Sequence, residues 1–156
     1  MRKRIVDRKR ATAELDDGWR DLTQIATVEV SSEDPLFPVE SVFSGGGPGW
    51  RASETGEQQI RLIFDEPVSV RRIQLRFDEP AIQRTQEFSL AWASARAEGP
   101  SREIVRQQWS FSPHGSNTEL EDYTVDLADL SVLDLVIRPD LSRRDAVATL
   151  TAFVLK

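Results

Sequence analysis

The sequence has no cysteine and a single histidine, His114, and each scarcity removes a class of chemistry. Without thiols there is no disulfide framework, no thiolate nucleophile and no zinc ribbon. One imidazole cannot build a multi-histidine metal centre. No G-x-S-x-G elbow surrounds it to suggest a serine triad, and the Pro113-His114-Gly115 context reads as an exposed turn. No stretch approaches the roughly 20 apolar residues that cross a bilayer as a helix. The basic start Met1–Asp7 is followed by no apolar core of a secretory signal. A cytoplasmic location is expected on these grounds. Also missing are helical patterns of about 10–15 residues between extended segments, so βαβ units are not expected.

What is present suffices for one hydrophobic core: 156 residues, of which 39% are apolar and 29% charged, the balance of a folded chain rather than a disordered one. The net charge of −6 conceals an asymmetry. Residues 1–10 carry six basic side chains and one Asp; removing them from the 20 basic and 26 acidic side chains of the whole chain leaves 14 and 25. A body that acidic repels phosphate backbones, whose binding depends on Lys and Arg, so nucleic acid is not an expected partner. Residues 1–14 read as a flexible basic arm and 15–156 as one domain.

A short lead-in, Leu15–Thr23, spaces Leu15, Trp19 and Leu22 as on one helical face, with Gly18 limiting it to about a turn. Beyond it the apolar period becomes two. Ala26, Val28 and Val30 alternate with polar residues; Ile60–Phe64 reads as a strand that Asp65-Glu66-Pro67 ends; Ile73, Leu75 and Phe77 share a face. So do Phe88, Leu90 and Trp92, then Tyr123, Val125 and Leu127, then Leu133, Leu135 and Ile137, and Thr149–Leu155 closes the chain as an apolar run. Such alternation belongs to strands with one buried and one wet face, and so to an all-β antiparallel sandwich or jelly roll. Two stretches stay irregular. Ser31–Gly56 holds Pro35, Pro38, Pro48 and five glycines, and Phe111–Glu121 is polar and rich in turn formers; long loops of this kind often carry function.

The order of these segments resembles the discoidin, or coagulation factor V/VIII C-type, family. VEVSSEDPLFPVESVFSGGGPGWRAS (Val28–Ser53) is similar to its opening strand, paired serines, proline loop and tryptophan. QQIRLIFDEPVSVRRIQLRF (Gln58–Phe77) resembles the strand, acidic turn and returning strand that follow, FSLAWAS the strand before the hairpin, and YTVDLADLSVLDLVIRP with ATLTAFVLK the closing strands. The resemblance implies a galactose-binding-like jelly roll and a non-catalytic module, for carbohydrate by the family's habit. It extends to the N-terminal domain of an X-ray-repair scaffold protein, which works through protein partners. The family's Asp-Gly pair ahead of the tryptophan is absent here, where Glu40–Gly45 stands. Oxygen ligands for calcium could come from Glu33, Asp34 and Glu40, but no cofactor is expected.

Sugar sites combine an aromatic face with a few fixed polar groups. Trp50 with Arg51, Glu54 and Gln58, or Trp109 with Gln107, Gln108 and His114, supplies such a set; the competing reading makes both indoles plugs at the ends of the sandwich. Two other functions stand beside carbohydrate binding. An adaptor would use an outward arginine face (Arg71, Arg72, Arg76, Arg84, Arg96), although ion pairs with strand-end acids explain these residues equally well. A hydrolase would need two of the many carboxylates about 5–10 Å apart across a substrate.

Overall fold

The computed structural model describes residues 18–44 and 46–156. The basic arm expected over 1–14, and Leu15 of the lead-in, lie outside the described residues. A single-turn helix, α1 (Leu22–Ile25), precedes eight strands: β1 (Ala26–Val30), β2 (Trp50–Thr55), β3 (Gln58–Asp78), β4 (Arg84–Ser94), β5 (Arg102–Phe111), β6 (Thr118–Arg138), β7 (Val147–Leu150) and β8 (Ala152–Leu155). Asp21 caps α1 by accepting from the Thr23 amide, and Leu22 is its buried anchor. Every strand pairing is antiparallel, and the architecture is the jelly-roll sandwich that the alternation implies.

Two strands are longer than the sequence suggests. Asp65-Glu66-Pro67 does not end a strand: β3 runs on through it for 21 residues, and β6 absorbs both the Tyr123–Leu127 and Leu133–Ile137 segments. The triplet instead marks the place where β3 passes from one layer to the other. Pro67 has no N–H to give, and it falls in the gap between the Ile63–Val132 and Val68–Leu130 pairs, where no ladder bond to β6 is required. Opposite, β6 gains an extra residue between Leu127 and Leu130, and Asp129 takes φ 55, the left-handed geometry of a bulge. One layer is then β1, the first half of β3, the second half of β6, β4 and β5. The other joins β8 and the second half of β3 to the first half of β6, with the β2–β7 pair beside it.

The inner faces close one contiguous core. Phe77 of β3 stacks on Phe88 of β4 at 5.3 Å between ring centroids, joining the layers. The C-terminal apolar run is two strands rather than one, broken at Thr151, so that β7 serves β2 and β8 serves β3. Trp19 packs under the cations of Arg72 and Lys156, 5.3 and 5.9 Å from its ring. Four of the five arginines expected to face outward do so and are neutralised, Arg71 by Asp126, Arg72 by Asp122, Arg76 by Asp78 and Arg96 by Asp129, whereas Arg84 is buried and pairs with Glu79 inside the sandwich.

Candidate functional site

The set expected around Trp50 is a structural corner. Gly49 adopts φ +85, where a Cβ would meet the Leu150 carbonyl oxygen at 2.7 Å, and this close approach delivers Trp50 into the interior. The indole is 1% exposed and its Nε1 donates to the Ser32 carbonyl at 3.1 Å. Gln58, also buried, accepts from the Ser31 and Ser32 hydroxyls at 2.6 and 2.7 Å, and Ser32 Oγ accepts from the Ser53 amide. Trp50 therefore offers no face for stacking and closes the sandwich. Arg51 and Glu54 lie exposed on β2 without it. Two of the three acids considered as calcium ligands serve the backbone, Glu33 accepting from the Val39 amide and Asp34 from Leu36, and Glu40 is exposed. Among the described residues no group of three or more carboxylates or imidazoles is arranged for a metal ion.

Of the second set, Gln108 points to the outer face and donates to Glu87 at 3.2 Å, while two members lie on the other face. Gln107 and Trp109 share the inner face of β5, opposite Phe88 and Gln86, and both are half-buried. The Trp109 indole reaches the Ser116 carbonyl at 3.5 Å, so the ring packs beside the Ser112–Asn117 turn that carries the exposed His114. The two sets stay apart, since β2 pairs only with β7 and β5 only with β4.

Behind Trp109 lies a buried polar cluster that strand alternation concealed. Glu119, wholly buried, accepts from Gln86 Nε2 at 3.2 Å across the sandwich. Arg84 donates to Glu79 (2.7 Å), Gln86 (3.1 Å) and the Pro139 carbonyl (2.7 Å), with its guanidinium 4.6 Å from the Phe111 ring. Burial, then hydrogen bonding and repulsion from Glu121, push the Glu119 carboxyl up to about 8, so it holds its proton at neutral pH. Burial and the same Glu121, to which Tyr123 donates at 3.3 Å, raise the Tyr123 phenol. Glu119 and Glu121 are thus a carboxylate pair with one raised member, but they bond to each other and Glu119 has no solvent access. A glycosidase pair stands about 5–10 Å apart with substrate between. This pair leaves no such gap.

Two open clefts flank the β6–β7 connection, which sequence reasoning passed over. Pro139-Asp140-Leu141-Ser142 is a turn built by its own side chains: Asp140 accepts from the Ser142 amide and hydroxyl at 3.1 and 2.9 Å, and the Leu141 amide donates to Thr85 of β4 at 2.9 Å. Partial burial opposes ionisation of Asp140. The Ser142 bonds and the Arg143 cation outweigh it and hold the carboxyl below its usual range. On one side of this turn is a cleft of about 280 Å³ lined by Gln83, Arg84, Thr85, Ser110, Asp140, Ser142 and Arg143, all polar. On the other is a cleft of about 310 Å³ that shares Asp140 and Arg143 and adds Glu57, Arg138, Leu141 and Arg144. The available signal was a Pro-Asp-x-Ser turn followed by two consecutive arginines.

No family model matches the chain, and no curated protein is similar to it in sequence. Solved structures share its fold. The family 32 carbohydrate-binding module of C. perfringens NanJ, solved with galactose, superposes with a TM-score of 0.63 at 12% identity, covering 88% of this chain and 96% of that one. The family 32 module of AlyQ, in complex with 4,5-unsaturated mannuronic acid, gives 0.57 at 19%, with 85% and 95% covered. XRCC1 bound to the DNA pol beta catalytic domain gives 0.60 at 14%, with 88% and 95% covered. The fold is the galactose-binding-like jelly roll.

Proposed function

We propose that the chain is a non-catalytic module that binds carbohydrate, seated in the cleft of about 280 Å³ beside Asp140. The observation that carries this reading is the lining itself. Hydroxyls of Thr85, Ser110 and Ser142, the amide of Gln83, the ionised Asp140 and the Arg143 guanidinium give donors and acceptors in the mixture that a polyhydroxylated ring satisfies. The turn bonds of Asp140 fix the acceptor before ligand arrives, which lowers the ordering cost of binding. Solved modules of the same fold carry sugars, galactose in one and an unsaturated mannuronic acid in another. Half-exposed Trp109, with Gln107 and His114, is the second seat. Trp50, Arg51 and Glu54 are not part of the proposal.

Calorimetric titration over a panel of mono- and oligosaccharides tests it. Asp140→Asn keeps an oxygen for the Ser142 bonds but removes the charge, and is expected to weaken the best ligand about tenfold or more. Trp109→Ala in parallel reports on the second seat. A panel with no binder at millimolar concentration defeats the proposal, and binding untouched by Asp140→Asn moves the seat elsewhere.

An adaptor role has one observation in its favour, the outer edge of β5, which among the described residues pairs with no strand and can accept an added one. Its outward arginines are already spent on neighbouring acids. A cytoplasmic setting and indifference to nucleic acid belong to the same proposal, supported by the absence of cysteine and the acidic body.

A further inference from the structure

We infer that the bound sugar carries a carboxylate, received by Arg144 with Arg143 in the cleft of about 310 Å³ on the far side of Asp140; this rests on the carbohydrate reading of the adjoining cleft. Most arginines on or beside the strands are matched. Arg61, Arg71, Arg72, Arg76, Arg96 and Arg106 each reach a carboxylate within 4 Å. Among the described residues Arg143 and Arg144 form no ion pair, even with Asp145 next along the chain. Other arginines without an ion pair lack a comparable setting. Arg20 is bonded to the Ser69 carbonyl, Arg51 stands on the exposed side of β2, and Arg102 borders a depression of about 30 Å³, room for about one water molecule.

Charge bookkeeping within the cleft points the same way. Arg138 and Glu57 neutralise each other at 2.9 Å. Asp140 faces Arg143 but is already engaged by Ser142. Arg144 is left without compensation, a local positive site on a chain whose net charge is −6. A guanidinium binds a planar carboxylate through two parallel, charge-assisted hydrogen bonds, whereas a neutral sugar offers it only uncharged hydroxyls. The acidic surroundings work against a long polyanion lying along the body and favour a single acidic residue entering the end. The chemical class is therefore a uronic acid or another sugar acid, presented singly or at a chain terminus.

The test compares methyl galacturonate with methyl galactoside by calorimetry on the full chain, alongside Arg144→Gln, with acetate and inorganic phosphate as controls. The uronate is expected to bind about tenfold or more tighter than the neutral sugar. That advantage is expected to shrink in Arg144→Gln, and to shrink between 0.05 and 1 M salt as the Debye length falls to about 3 Å. Circular dichroism checks that the variant is folded, and Arg144→Lys, which keeps charge but loses the planar fork, recovers only part of the advantage. Equal affinity for the two sugars overturns this inference while leaving the carbohydrate reading intact. Acetate or phosphate binding as tightly as the uronate also overturns it, because charge alone would then be recognised. Absence of any sugar binding defeats both.

Discussion

Raising the pH from 5 to 8 strips the proton from glutamates of the unfolded chain, whereas Glu119 in the folded chain keeps its own up to about 8. In that window the folded state binds more protons than the unfolded one, so stability falls as pH rises. The sign is opposite to that of Asp78, Glu87, Asp122 and Asp140, whose lowered values contribute stability above the ordinary carboxylate range and lose it only as pH falls through and below that range. The window from 5 to 8 therefore isolates Glu119. With an unfolded value of 4.5 and a folded value of about 8, linkage gives a loss of about 3 kcal/mol between those pH values. Glu119→Gln should remove the slope. Its amide oxygen accepts from Gln86 as Oε1 does now, and its amide nitrogen takes the place of Oε2, which has no donor facing it, and donates to Glu121. Urea unfolding followed by tryptophan fluorescence at pH 5, 6.5 and 8 measures both proteins. A wild-type stability that is flat from 5 to 8, or an equal slope in Glu119→Gln, would refute the buried protonated pair.

Three further outcomes follow from the geometry. Gly49→Ala, at φ +85 with the Leu150 carbonyl 2.7 Å from the new Cβ, is expected to cost clearly more than Gly56→Ala, which has the same φ but open space around it; the latter should lose about 1 kcal/mol in the same urea assay. Arg84→Ala strands Glu79 and Gln86 in the interior and should cost about 3–5 kcal/mol, while Arg71→Ala, an exposed partner 3.8 Å from Asp126, should leave the thermal midpoint unchanged. Trp50→Ala should cost about 3–5 kcal/mol from the cavity and the lost bond to Ser32, whereas Trp109→Ala should cost less, its ring being only half-buried; calorimetric melting ranks them.

Much of the architecture was legible in local alternation. Ile60, Leu62, Ile73, Leu75, Phe77, Phe88, Leu90, Leu133, Leu135 and Ile137 all point inward as their period predicts. The period also misled. On β6 Glu119 and Glu121 occupy inward positions, and a pattern read by hydrophobicity assigns such residues to a turn. Pro67 was read as a terminator because a proline usually interrupts a ladder, and nothing local says that the ladder has already lapsed there. Trp50 was legible as aromatic but not as buried, since its placement depends on the approach of Gly49 to a carbonyl about 100 residues away in sequence.

The residues themselves determined that this chain folds as paired strands around one apolar interior, because a side-chain period of two has a single buried face to offer. They also determined that thiol and multi-histidine chemistry are absent. Tertiary structure alone decided which polar groups meet. Gln86 and Glu119 lie 33 positions apart and touch only when two layers close. The Asp140 turn becomes a cleft only when Leu141 docks on Thr85 and Glu57 pairs with Arg138, 81 positions away. Local propensity acts over neighbours, but a site is a set of distances between strands, and those are fixed by register and sheet crossing.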